Sequence, residues 1–318
     1  MIDMSERFIS LDSSIIHRFK TGAIFSDNTA RTNSLDFGCD GAILCAAYND
    51  DSLSVINTTS GLLQKTLQFK EHGVSNVKFT HHKSAILCTA NKSSNGLIMY
   101  HSILDNRFIR MFHGHKDRVC SLALSPIDDS FISGSHDWTM NLWDLRSSSP
   151  QAILATGPSP AVEFDPKGLI FACTSDSNVV RLFDIRSYKQ GPFASFGLSG
   201  ATSWHQVVFS PDGGSIAVSS RSGSTVVLDS FTGDHRCTLS SYTNTAGIDI
   251  DVDFSPDGKF IATGSDHGVV HIYDSASGKQ ELALTGGHNR PVTAVQWNPV
   301  MAMIASGAEN LALWIPDS

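Results

Sequence analysis

The sequence predicts an all-β chain closed into a seven-bladed propeller, and three observations carry that prediction. A short apolar segment recurs about every 43 residues, a second landmark follows each copy in nearly fixed phase, and the stretches between them read as short strands. The 318 residues exceed what one ordinary hydrophobic core usually holds, ~250–300 residues, and no Gly/Pro/Ser-rich linker divides them. Repetition accommodates such a length, so 1–318 is expected to form a single propeller.

The first landmark is clearest at Val252-Asp253-Phe254-Ser255-Pro256-Asp257-Gly258 and Val207-Val208-Phe209-Ser210-Pro211-Asp212-Gly213. Its anchors are Phe37, Phe79, Leu124, Phe164, Phe209, Phe254 and Trp297, at spacings of 40 to 45. The second landmark falls at Ile56, Tyr100, Trp143, Phe183, Leu228, Tyr273 and Trp314, at offsets of 17 to 21 from the first. Between them, 260–263 follows a Pro-Asp-Gly turn and 269–273 alternates with β-branched and aromatic residues, which predicts strands. A fourth strand fits each link, for example 108–112 and 280–284. No helical period persists for ten residues.

Composition narrows the function classes. With 23 basic and 31 acidic residues the net charge is −8, which argues against general affinity for nucleic-acid phosphates and for no direct sequence-specific nucleic-acid contact. No apolar run reaches the ~18 residues of a membrane span, and the start lacks a signal-peptide core, so a soluble intracellular chain is expected. The six cysteines are scattered without a Cys-x-x-Cys pair, and no His cluster carries a third ligand, so neither metal nor cofactor is expected. No nucleophile elbow or phosphate loop opens a helix, and no catalytic residue is assigned.

The third unit carries Gly114-His115, Phe131-Ile132-Ser133-Gly134-Ser135-His136-Asp137 and Leu142-Trp143-Asp144, and these residues resemble the WD40 family. The resemblance implies that His115, Ser133, Asp137 and Trp143 form a buried structural network, although the first three also look like part of a Ser-His-Asp triad. It further implies that an N-terminal strand, about 15–20, completes the last blade, whose own sequence ends soon after Trp314. The turn after Asp137 departs from the family pattern: Trp138-Thr139-Met140-Asn141 stands where positive charge is usual. Trp138 can serve as a binding anchor or fold over its own blade. Lys116 and Arg118 are the candidate contacts to an acidic or phosphorylated segment.

Longer stretches, 106–110, 114–119, 125–135 and 164–172, together with Gly191-Pro192-Phe193 and the ending Trp314-Ile315-Pro316, sharpen the resemblance. They are similar to the branch of the family that supplies the WD subunit of COMPASS-type histone H3 lysine 4 methyltransferase complexes. What this implies is a nuclear, non-catalytic scaffold, monomeric within a hetero-complex. The implied partners are methyltransferase-complex subunits, the phosphorylated RNA polymerase II tail, and termination or 3′-end-processing assemblies containing a phosphatase. A rival reading takes Asp144 with Arg146 and Asp184 with Arg186 as Asp-x-Arg boxes that dock an adaptor on a cullin-type ubiquitin ligase. Local pairing of each Arg with its own Asp is the plainer alternative.

Overall fold

The computed structural model describes residues 10–317 except 27, 93, 176, 177, 201, 202 and 241. It holds seven four-stranded antiparallel sheets. Their innermost strands are Thr32–Phe37, Ser75–Phe79, Val119–Leu124, Ala161–Phe164, Trp204–Phe209, Val252–Phe254 and Ala294–Trp297. Each packs beside the next, and the first also packs beside the last, so the sheets close a ring. The fold is the all-β seven-bladed propeller that the repeat predicts.

The landmarks have a physical reason for their phase. Each first-landmark anchor is the last residue of an innermost strand, and Trp143, Phe183, Leu228 and Tyr273 each stand one residue from the end of a third strand. In the third blade Phe131 and Trp143 are directly cross-strand and stack at 5.8 Å with their planes 7° apart. The fourth blade repeats this with Phe171 and Phe183 at 5.0 Å. These rings are large buried surfaces whose offset is fixed by strand length, which is why the spacing survives while the residues change.

The seventh sheet is completed from the N-terminus, as expected, but by Phe19–Phe25 rather than 15–20. Phe19 pairs with Pro316 and Phe25 with Leu311, with a register shift at Gly22. Ile15 and Ile16 instead lie in a single helical turn, Ser13–Ile16, because the Asp12 carboxylate accepts the Ile15 N–H at 2.9 Å as an N-cap. That turn swings Ile16 into a fully buried position among Leu11, Phe19, Val270 and Trp297. Two consecutive isoleucines would point to opposite faces of a strand, whereas here the helical turn buries one of them while the strand starts later.

An innermost strand leaves one edge of each blade unpaired, and neighbouring side chains satisfy it. Ser34 accepts the N–H of Val77 at 3.0 Å and Gln296 that of Phe37 at 3.1 Å, while Asp253 accepts that of Trp297 and Gln206 that of Val252, both at 2.8 Å. The ring is thus joined along its channel by hydrogen bonds as well as by apolar packing.

Candidate functional site at the third blade and channel mouth

His115 precedes the innermost strand of the third blade, Ser133 lies on the second strand, Asp137 in the turn after it, and Trp143 on the third. The structure brings all four together. The indole N–H of Trp143 donates to Ser133 Oγ at 2.8 Å, and His115 Nε2 lies 2.7 Å from the same oxygen. His115 Nδ1 faces Asp137 Oδ2 at 3.2 Å and Thr139 Oγ1 at 3.1 Å. An indole can only donate, so the serine proton must go to Nε2, and the carboxylate, which only accepts, requires the imidazole proton on Nδ1. Burial holds the imidazole below its ordinary pKa despite the neighbouring Asp137, consistent with that neutral tautomer. Ser133 has no exposed surface and its oxygen already accepts the indole, so the hydroxyl is sealed from any substrate.

The same network ties two loops into one rim. Asp137 accepts the backbone N–H of Lys116 at 2.7 Å, and the N–H of His136 reaches the carbonyl of Arg118 at 3.0 Å. Lys116 and Arg118 are therefore exposed beside the turn that carries Trp138. Trp138 is 61% exposed and its backbone is left-handed, with φ of 67°. It does not fold over its own blade.

Beside this rim the channel opens into a mouth of about 680 Å³. Arg31, Lys92, Arg118, Arg221 and His136 line it together with Asp51 and Asp249. Lys92 pairs with Asp51 and Arg221 with Asp249, each at 2.5 Å. Arg31 and Arg118 have no carboxylate within 4.0 Å among the described residues. The sequence reading missed Arg31, Lys92 and Arg221. Phase carried the signal for Arg31, which stands immediately before the first blade's innermost strand as Arg118 does before the third blade's.

Deeper in the channel, burial raises Glu163, Asp251 and Asp253 to about 7, with Lys78 as the cation facing them. Asp36, 3.8 Å from Lys78, and Asp253 are also occupied with backbone N–H groups of the adjoining blade.

The Asp-x-Arg pairs lie at the opposite end, each Asp closing the third strand of blade three or four and each Arg in the turn that follows. Arg146 clamps Asp144 through Nε at 2.8 Å and a terminal nitrogen at 2.6 Å, and Arg186 clamps Asp184 at 3.2 and 2.9 Å. Arg146 holds the Asp144 carboxyl at about 2. Both arginine side chains nevertheless remain mostly exposed, at 79% and 77%.

A second network escaped the repeat reading because the seventh unit is two residues short. His288 Nε2 and the indole of Trp314 both meet Ser306 Oγ at 2.6 Å, and Asn310 takes the place of the aspartate, 2.6 Å from Nδ1. The shortening falls in the turn and the third strand, leaving the eighteen-residue step from His to Ser intact.

A ring of seven four-stranded blades, stapled in two of them by a Trp-Ser-His hydrogen-bond chain, defines a WD40 propeller, and the chain belongs to the WD40-repeat family. The WD domain, G-beta repeat profile matches residues 106–144 and 235–274. The chain is 38% identical to WD repeat-containing protein 82 of Drosophila melanogaster over 98% of both chains. It is 32% identical to Set1 complex component swd2 of Schizosaccharomyces pombe over 67% of this chain and 60% of that protein. To COMPASS component SWD2 of Saccharomyces cerevisiae it is 30% identical over 63% of this chain and 61% of that one.

Proposed function

We propose that the chain is a non-catalytic scaffold subunit of a nuclear COMPASS-type histone H3 lysine 4 methyltransferase complex, linked also to RNA polymerase II termination and 3′-end processing. The observation that carries the reading is the end-to-end similarity to WD repeat-containing protein 82, supported by two relatives named as components of Set1 and COMPASS complexes. The sealed Ser133 and the unbroken ring fit a scaffold, since what the molecule offers to others is surface.

Within this reading Lys116, Arg118 and Trp138 form the contact for an acidic or phosphorylated segment, and Arg31, whose charge also acts on Asp249 and Asp251, extends it across the mouth. An ionised phosphate beside two arginines gains charge-assisted hydrogen bonds, and an exposed indole supplies the apolar anchor. Affinity purification from native nuclei with mass spectrometry tests the assembly, and methyltransferase subunits are the expected partners. Recovery of neither methyltransferase nor termination subunits would overturn it. The cullin-type alternative through Asp144, Arg146, Asp184 and Arg186 predicts recovery of a ligase linker that is lost on charge reversal of both arginines.

A further inference from the structure

Ser-Pro is the dipeptide that proline-directed protein kinases recognise, and the chain holds five: Ser125-Pro126, Ser149-Pro150, Ser159-Pro160, Ser210-Pro211 and Ser255-Pro256. The fold withholds four of them. Ser125, Ser210 and Ser255 are buried in the turns that follow innermost strands, at 2% exposure or less. Ser159 stands at a left-handed backbone position, with φ of 50°, its hydroxyl 2.8 Å from His136 Nδ1 and the following Pro160 buried. Ser149 is exposed.

Loop length explains the difference. In the first, second, fifth and sixth blades four or five residues join the third strand to the fourth. In the third blade the connection is seven residues, 145–151, and it is pinned at both ends. The Ser147 N–H donates to the carbonyl of Asp144 at 2.9 Å, and that of Gln151 to the carbonyl of Leu142 at 2.8 Å. Between the pins the Ser147 hydroxyl meets the Ser149 carbonyl at 3.4 Å and its Oγ at 3.3 Å, and Pro150 is half-buried. The loop thereby presents Ser148 and Ser149 to solvent.

Both arms of this loop converge on one carboxylate. Arg146 holds Asp144 Oδ2 at 2.6 Å, and the Gln151 side-chain amide lies 3.5 Å from the same oxygen, with Ser149 between the two in sequence. The charge of Arg110 also acts on Asp144, while Asp128 and Asp129 act on Arg146. A phosphoserine carries a charge of about −1.5 to −2 and three acceptor oxygens, more than a carboxylate offers a guanidinium. A phosphate on Ser149 therefore outcompetes Asp144 for Arg146, and Asp144 keeps Arg110 as its cation. The fourth blade supplies an internal comparison. Arg186 clamps Asp184 in the same way, but the connection that follows, 185–193, contains no Ser-Pro.

We propose that Ser149 is a phosphoacceptor for a proline-directed protein kinase, and that its phosphate draws the guanidinium of Arg146 away from Asp144. In the transfer Ser149 Oγ bonds to the γ-phosphorus of the kinase's ATP and the bond from that phosphorus to the bridging oxygen breaks. ADP leaves, and the hydroxyl proton passes through the kinase's base to solvent. The modification makes the two Asp-x-Arg pairs unequal, adding negative charge at the third blade and leaving the fourth unchanged. The inference stands apart from the assembly proposed above and from the channel mouth.

The test treats the full chain with a cyclin-dependent kinase and ATP and maps the phosphate by mass spectrometry. Incorporation should fall at Ser149, be abolished by Ser149→Ala and persist in Ser159→Ala, with both melting temperatures unchanged. In protein labelled with 15N-arginine, the Nε–H signal of Arg146, assigned by its loss in Arg146→Lys, should shift on phosphorylation while that of Arg186 stays in place. Incorporation that survives Ser149→Ala, or a peptide spanning 144–155 that is phosphorylated while the folded chain is not, overturns the site. An Arg146 signal that does not move once Ser149 carries phosphate overturns the exchange of partners.

Discussion

His115 and His288 occupy equivalent places in the third and seventh blades, each with Nε2 within 2.7 Å of a buried serine hydroxyl, and differ in what holds Nδ1: the carboxylate of Asp137 or the amide of Asn310. The ring's neutral tautomer needs only an acceptor at Nδ1, and a carboxylate or an amide oxygen supplies one. The serine is different. Its oxygen accepts one hydrogen bond and donates another inside the sheet, and no water can replace it.

Ser133→Ala should therefore destabilise the protein more than Asp137→Asn. The first leaves the Trp143 N–H and His115 Nε2 unpaired and should cost about 2–4 kcal/mol; the second, for which Asn310 is the natural precedent, about 1 kcal/mol. Denaturant midpoints of both variants, with Ser306→Ala as a companion, decide the order. A larger loss for Asp137→Asn would refute the tautomer argument.

Asn141, fully buried on the third strand of that blade, has neither amide atom hydrogen-bonded. Replacing it with Leu keeps the volume and removes two unsatisfied groups, so Asn141→Leu should stabilise by about 1–2 kcal/mol. Thermal melts check this, and destabilisation would mean that the amide has a partner.

His101, between the first two blades, is pushed down to about 4, chiefly by burial, and its Nδ1 lacks a partner. A histidine whose folded pKa is depressed binds its proton more readily when unfolded. Its contribution is therefore full above about pH 6.5 and lost as pH falls toward 4. His101→Phe, matched in shape and set against Phe69 and Phe108, removes that loss. The stability gap between variant and wild type should widen between pH 7 and pH 4.5, whereas a constant gap would contradict the assignment.

Glu163 runs in the opposite sense. Burial in the channel raises it to about 7, so the folded state holds its proton more tightly and the charge destabilises above pH 7, with relief as pH falls toward the ordinary carboxylate range. Glu163→Gln should stabilise by about 1 kcal/mol at pH 8 and by little at pH 5. Equal effects at both values would place the carboxylate in a more solvated environment.

Trp138 separates stability from recognition. An exposed, left-handed, non-glycine position is strained, so Trp138→Gly should leave the stability unchanged or slightly raised, by about 1 kcal/mol at most. Under the proposed function the same change weakens binding of a serine-phosphorylated peptide, read by fluorescence anisotropy. Unaltered binding would remove Trp138 from the contact.

By itself the sequence determined the architecture. Seven pairs of bulky anchors in fixed phase leave a chain of this length few ways to bury its strands, and cross-strand stacking such as Phe131 on Trp143 explains why the phase is strict. The network of the third blade was legible because its four members keep the family spacing, and the rim residues Lys116 and Arg118 lay beside it. The start of the closing strand was not, since Asp12 competes locally as a helix cap and only the buried pocket for Ile16 settles the outcome. Nor was the seventh-blade network, where a shorter turn moves Trp314 in sequence but not in space. The channel mouth joins Arg31, Lys92, Arg118 and Arg221 from four blades. A repeat specifies what each blade is, and only closing the ring decides which side chains of different blades share a surface and therefore a field.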